Sequence, residues 1–284
     1  MNYLIYYNTM KVDTLFLSGC GSKIGAYIGV FTGLLEKKII ELDKIERYVC
    51  CSAGAIVSFK ICCGLSIKVI HELSNKTDYT KLYDLEDLDN LFENHGLFSN
   101  QKIGNVIKSI LIHKYNKSDM TLAEFYKQTN KHFICKVFNL TKKKDEYICY
   151  KTNPDLSIIT LICMTSCIPV FFKPILYNED YYVDGGITGS MPFIDKYKNF
   201  IGIYIRSECN NDIKNMDTFE YLLYLLHIKA EMYKFSIEDK RFIKINCLKE
   251  MITNFDISME TKNIIVNTGY KLTIDHINKY LIDK

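Results

Sequence analysis

Proline and glycine are scarce and scattered, four and fourteen in 284 residues, with no Ser/Gly/Pro-rich tract among them. Nothing in the sequence reads as a linker or an internal repeat, so one unit over residues 1–284 is expected. Its core would run over about 14–207, with a C-terminal strand and helices over 208–284. Long blocks of one charge sign are missing as well, and a net charge of +3 is too small to imply nucleic acid as a partner. The densest basic run, Lys142 to Lys144, falls where a hairpin turn is expected. The longest apolar run, "SIITLICMTSCIPVFF", is broken by Thr, Ser and Pro169. It falls short of the roughly 20 residues that span a bilayer, so no transmembrane helix is expected. The N-terminal "MNYLIYYNTMKVD" lacks a basic start and a small-residue cleavage site, and does not read as a signal peptide.

What is present is 48% hydrophobic and 24% charged residues, enough apolar material for a substantial core. The eleven cysteines are odd in number and lie inside apolar patterns, which points to free thiols and a reducing, cytoplasmic setting. The doublets Cys50-Cys51 and Cys62-Cys63 invite a metal site. A helix from Ala53 would carry them about 15 Å apart, so none is expected.

"TLFLS" from Thr14 reads as a buried strand, "GCGSKIG" as a tight turn into a helix ending near Glu36, and Arg47 to Cys51 as a second strand. After Ser52 the segment "AGAIVSFKICCG" reads as a buried helix stopped by Gly64. Amphipathic helices are predicted at Leu88 to Asn94, Asn100 to Lys114 and Leu122 to Gln128, in a region with few strand signals. "HFICKVFNL" and "EYICYK" form a predicted hairpin, and "ILYNEDYYVDGG" a second, turned by Asn178 to Asp180. A strand at "FIGIYIRS", a helix from about Asp217 to Ile237, a strand at "RFIKINC" and a helix from about Met259 to Leu281 complete the pattern. Alternating strands and helices imply an α/β sheet covered on both faces, with ligands at the carboxyl ends of the strands.

Both Ser52 and the glycine turn fall at those ends. In "RYVCCSAGAIVSF" a serine stands between a strand and small, helix-compatible residues, and two readings are open: an exposed nucleophile on a strand-to-helix bend, or an N-cap. Glycines 19, 21 and 25 let backbone N–H groups converge on an anion, whether a phosphate or a tetrahedral oxyanion. A dinucleotide site would want an acidic residue ending the next strand, yet that strand runs into Cys51 and Ser52. Lys23, a cation at a helix start, opposes the macrodipole, and either attracts an anionic substrate or snorkels to solvent. The six histidines, at 71, 95, 113, 132, 227 and 276, sit in polar turns or on helix faces and read as surface residues. A carboxylate is therefore the candidate base. Asp184 closes the strand "YYVD" before two glycines, and burial there would raise its pKa toward a useful value, although Asp-Gly-Gly is also an ordinary turn sequence.

Taken in order, the glycine turn at Gly19 to Gly25, the serine bend at Ser52, "MTSCIPVFFKP" from Met164 to Pro174, and Asp184-Gly185-Gly186 resemble the patatin-like phospholipases. The resemblance runs from about Thr14 to at least Pro192, with a similar closing helix in "NTGYKLTIDHINKYL". It implies a three-layer α/β/α sandwich with a mainly parallel central sheet, and a lipid acyl hydrolase of phospholipase A or lysophospholipase type. In that chemistry Ser52 attacks the ester, Asp184 takes and returns the proton, and the N–H groups of Gly19, Cys20 and Gly21 hold the oxyanion. No cofactor and no metal is implied; the partner is an acyl-lipid substrate, with peripheral contact at a membrane surface. Cys50, Gly54, Gly185 and Gly186 would support the bend and the turn. The family has glycine where this chain has Cys20, Ile24 and Cys50; positive φ at Cys20 and Ile24 would strain the oxyanion loop, while Cys50 is small enough to fit the bend and is the milder change. A fold that has lost turnover and serves as a lipid-binding or interaction protein is the alternative, and nucleotide binding at "GCGSKIG" a third reading. Whether Cys20, Cys50 and Cys51 near the site make it sensitive to oxidation is open to test with peroxide.

Overall fold

The computed structural model describes residues 11–77, 95–207, 213–232, 239–247 and 256–281. The predicted helix at Leu88 to Asn94 lies outside them. Ten described strands run β1 (Thr14–Leu17), β2 (Arg47–Cys50), β3 (Gly96–Phe98), β4 (His132–Asn139), β5 (Lys144–Ile148), β6 (Val170–Phe172), β7 (Ile175–Tyr177), β8 (Asp180–Asp184), β9 (Phe200–Ser207) and β10 (Phe242–Cys247). The main sheet is ordered β10-β9-β1-β2-β4-β8-β7, with β5 paired to β4. Its first five strands are mutually parallel, while β5, β7 and β8 pair antiparallel.

β1 is buried at every residue, as a parallel strand covered on both faces should be, and this is why "TLFL" shows no apolar–polar alternation. Leu15 and Leu17 face the larger core cluster and Phe16 the smaller one, where it meets Val49, Phe200, Phe242 and Phe193. The arrangement is a three-layer α/β/α sandwich.

The described helices are α1 (Ala26–Glu36), α2 (Ala53–Cys62), α3 (Ile67–Lys76), α4 (Gln101–Tyr115), α5 (Leu122–Thr129), α6 (Ile158–Thr165), α7 (Thr218–Met232) and α8 (Met259–Tyr280). Their starts follow local chemistry. Ser66, Ser157 and Ser258 each accept a backbone N–H, and Thr121 with Glu124 forms a reciprocal capping box.

α1 and α8 cross at two glycines, where the backbones touch. A Cβ on Gly29 would lie 2.0 Å from the Val266 carbonyl oxygen, and one on Gly269 2.3 Å from that of Ala26.

The predicted hairpins form as expected. Between β7 and β8 the turn residues Asn178 and Glu179 have φ of 47° and 67°, the left-handed pair that matches strand twist. Two expectations need correction. β3 occurs inside the region expected to be helical, because Gly96 lets the chain lie against the backbone at Phe172 and Lys173 in a small sheet with β6. His132 is not on the surface: it opens β4, half-buried, and burial lowers its pKa to about 4.

Candidate active site

β1 lies between β2 and β9, so the turn after β1 and the turn after β2 open side by side at the carboxyl edge. At the end of β2 the Cys51 N–H donates to the Leu17 carbonyl (3.1 Å), and the Ser52 N–H donates to Thr165 Oγ1 (3.0 Å). Held from both sides, Ser52 adopts φ 51° and ψ −125°. For a non-glycine residue such a conformation costs about 1–3 kcal/mol and persists only where the surroundings enforce it. Ser52 occupies the N-cap position of α2, yet its side chain makes no cap hydrogen bond. The hydroxyl is left free for another partner. Gly54 lets the bend fit, since a Cβ there would stand 2.7 Å from the carbonyl oxygens of Leu17 and Ser18.

The acidic side chain near Ser52 is Asp184, at the end of β8 and 4% exposed. Its Oδ1 accepts the Gly186 N–H (2.7 Å) and the Cys51 thiol (3.4 Å). Burial pushes its pKa up to about 6, offset in part by hydrogen bonds from Ser52, Gly186 and Cys51 and by the charge of Lys136. Cys51 was expected to turn away into the sheet; instead its thiol faces the carboxylate, because successive residues at the bend no longer alternate as in a strand. The bend neighbour Cys50 does face the sheet, where its Sγ lies 3.3 Å from the Ile134 carbonyl oxygen and 3.7 Å from Cys135 Sγ.

Two positioning residues are not evident from the sequence motifs. Lys136, in β4, is buried, and its Nζ donates to the carbonyls of Thr188 (3.2 Å) and Gly189 (2.9 Å), holding the loop after the Asp-Gly-Gly turn. Gly185 packs on the same residue, since a Cβ there would be 2.7 Å from the Lys136 carbonyl oxygen. Thr165, closing α6, donates from Oγ1 to that carbonyl (2.7 Å) and accepts from Ser52, so it ties the serine bend to the strand beside Asp184. The one signal available for Lys136 was a lysine inside the apolar run "HFICKVFNL".

The glycine turn departs from expectation in three ways. The Gly19 N–H donates to the Ser190 carbonyl (2.9 Å) and is not directed at an oxyanion. Gly19 instead gives clearance, with its would-be Cβ 3.0 Å from Ser52 Cβ. Cys20 has φ −151°, while the left-handed conformation falls on Gly21 at φ 51° and Ile24 sits in the short 3-10 turn Gly21–Gly25. The replacements at Cys20, Ile24 and Cys50 therefore demand no positive φ, and the expected backbone strain is absent. Among the described residues, the N–H groups of Cys20 and Gly21 donate to no backbone carbonyl. Lys23 is fully buried beneath the turn, beside the Cys20 and Cys247 thiols, and neither snorkels to solvent nor lines the cavity.

Ser52 opens into an apolar cavity enclosing about 1000 Å³ of empty space including its mouth. Its walls come from the turn after β1 (Ile24), α2 (Ile56, Val57), α3 (Ile70) and α4 (Ile103, Ile107). Near Ser52 the hydroxyls of Ser22 and Ser166 line it, each buried and without a hydrogen-bond partner. No histidine among the described residues lines the cavity or bonds to Ser52 or Asp184. Nor is any group of three or more His, Cys, Asp or Glu among the described residues placed to hold a metal ion.

The thiols near the site are shielded: Cys20 and Cys51 are buried, and burial pushes both pKa values well up. A protonated, inaccessible thiol is a poor target for peroxide.

The family profile of the patatin-like phospholipases matches residues 15–195. The chain is 32% identical over 191 residues to the probable lipid hydrolase 463L of Invertebrate iridescent virus 6, covering 66% of this chain and 64% of the relative. An uncharacterized protein of Acanthamoeba polyphaga mimivirus is 24% identical over 291 residues, covering 95% of each. Among solved structures, VipD from Legionella pneumophila superposes with a TM-score of 0.66 at 20% identity, covering 95% of this chain and 67% of that one. That likeness carries the sandwich, and the profile match carries the family: the chain belongs to the patatin-like phospholipases.

Proposed function

We propose that the protein hydrolyses carboxylic esters of membrane lipids, as a phospholipase A or lysophospholipase, through a Ser52–Asp184 dyad and an acyl-enzyme. The observation that carries this reading is Ser52 itself: a strained serine whose hydroxyl, unused as a cap, stands near a buried carboxylate and lines an apolar cavity. As Ser52 Oγ attacks the ester carbonyl, its proton passes to Asp184 and the carbonyl oxygen becomes an oxyanion. The free N–H groups of Cys20 and Gly21 are the donors for it, a role worth about 3–4 kcal/mol per donor in comparable sites. Collapse expels the alcohol, which takes the proton from Asp184. Water then attacks the acyl-enzyme, with Asp184 again as base.

An aspartate at an ordinary pKa would be a weak base for a hydroxyl, and burial corrects this by raising Asp184 to about 6. The cavity suits an acyl chain in apolarity, and α4 supplies part of its wall as well as core packing. No helix among the described residues is long and apolar enough to cross a membrane, so substrate would be met at a lipid surface or as a monomer.

Purified protein is treated with a fluorophosphonate probe and assayed on a short-chain ester and a phospholipid, beside Ser52→Ala and Asp184→Asn. Wild type labels and turns over, Ser52→Ala does neither, and Asp184→Asn loses at least about 100-fold in kcat. Absence of labelling and turnover in wild type removes the hydrolase reading and leaves lipid binding without turnover. Full activity in Ser52→Ala removes the nucleophile.

A further inference from the structure

α2 lays one stripe of side chains along the cavity: Ser52 and Ala53, then Ile56 and Val57, then Lys60. These are the i, i+4 and i+8 positions of a single helix face, so the cavity runs from the nucleophile along α2 to a lysine. Eight residues at 1.5 Å each put Lys60 about 12 Å from Ser52 along the axis. The distance is about that of a ten-carbon chain. Between the two ends every α2 residue in the stripe is apolar, and the polarity resumes only with Lys60, Ser74 and Thr77.

Lys60 is the anomaly in this wall. Half-buried, it makes no hydrogen bond or ion pair among the described residues, and no carboxylate among them lines the cavity. Ser74 and Thr77 line the same cavity, and their main-chain carbonyls accept from Lys262 Nζ at 3.4 and 2.7 Å, while Thr77 Oγ1 donates to the Leu73 carbonyl. Burial alone lowers the Lys60 pKa to about 8, which leaves it cationic at neutral pH. A cation in apolar surroundings gains most from an anionic partner, and a plain hydrocarbon tail provides none.

We propose that Lys60 is a specificity-determining residue, whose ammonium group receives an anionic oxygen group carried by the substrate at the far end of the cavity from Ser52. The preferred substrates are then acyl esters bearing a carboxylate about 12 Å from the scissile carbonyl, with an apolar span between. The group is a carboxylate ending the acyl chain. This assignment rests on the hydrolase reading for its chemistry, and on the cavity alone for binding.

Binding is measured by calorimetry on the Ser52→Ala protein, which cannot turn over, with the monomethyl ester of decanedioic acid against methyl decanoate. The anionic ester binds more tightly by about tenfold to a hundredfold, the worth of a charge-assisted hydrogen bond. Adding Lys60→Met abolishes the preference, and Lys60→Arg keeps most of it. Equal binding of the two esters, or a preference that survives Lys60→Met, overturns the proposal. Wild-type turnover of the neutral p-nitrophenyl decanoate is read in parallel: its absence counts against hydrolysis and leaves the binding result standing.

Discussion

At the scale of single residues, Asp184 carries opposed demands. To act as a base it must be ionised, yet burial pushes its pKa from 3.8 to about 6, so the fold disfavours ionisation relative to the unfolded chain. The folded chain holds this proton more tightly than the unfolded chain. Its contribution to stability is thus complete below about pH 4 and is lost as pH rises through about 6, a change on the order of 3 kcal/mol. Activity should run the other way, with kcat/KM rising through about pH 6 to a plateau. Asp184→Asn should remove that limb of the rate profile along with the activity, and should raise Tm relative to wild type at pH 7 but not at pH 4. Equal Tm differences at both pH values would show that Asp184 is not held against its ionisation. The Cys51 thiol and the Gly186 N–H, both aimed at Oδ1, keep the pKa from climbing further.

Among the elements, the crossing of α1 and α8 matters because of what α1 is attached to. The 3-10 turn Gly21–Gly25 feeds straight into α1, and Ile265 and Val266 of α8 pack on Gly25. α8 thus braces the turn that carries the proposed oxyanion donors, although it lies beyond the residues matched by the family profile. Gly29→Ala should force the two backbones apart and destabilise the fold by about 1–3 kcal/mol or more. Gly64→Ala serves as control: it has no atom near its would-be Cβ and strains only its own positive φ, so its cost stays near 1 kcal/mol. Denaturant titration reads both, and a Gly29→Ala protein as stable as wild type would mean that the helices separate without penalty.

Across the whole molecule, legibility in the sequence followed the range of the interaction. Elements with local rules were readable: "TLFL" by its unbroken apolarity, the second hairpin by its turn residues, Ser52 and Asp184 by the small residues that follow each. What escaped was set by contacts between distant segments. Cys51 reaches Asp184 across 133 positions and Thr165 reaches Ser52 across 113, and neither bond has a local signature. The Gly19 N–H was spent on Ser190 for the same reason, and Lys23 was misplaced because no local pattern says which side of a turn becomes interior.

The same burial that hides these contacts has a use at the bench. Every cysteine among the described residues is a buried free thiol, with Cys50, Cys51 and Cys135 at 0% exposure. Alkylation of each thiol must wait for its own segment to open, so the thiols form a set of built-in timers distributed through the sheet and helices. A maleimide pulse followed by peptide mass spectrometry should find Cys51 and Cys135 modified slowly in native buffer and at once in denaturant. Prompt native labelling of Cys51 would mean that the serine bend opens far more often than the rest of the core. Adding a bound ester analogue should slow that timer selectively, which turns an unreactive thiol beside the Asp184 carboxylate into a reporter of occupancy that needs no engineered label.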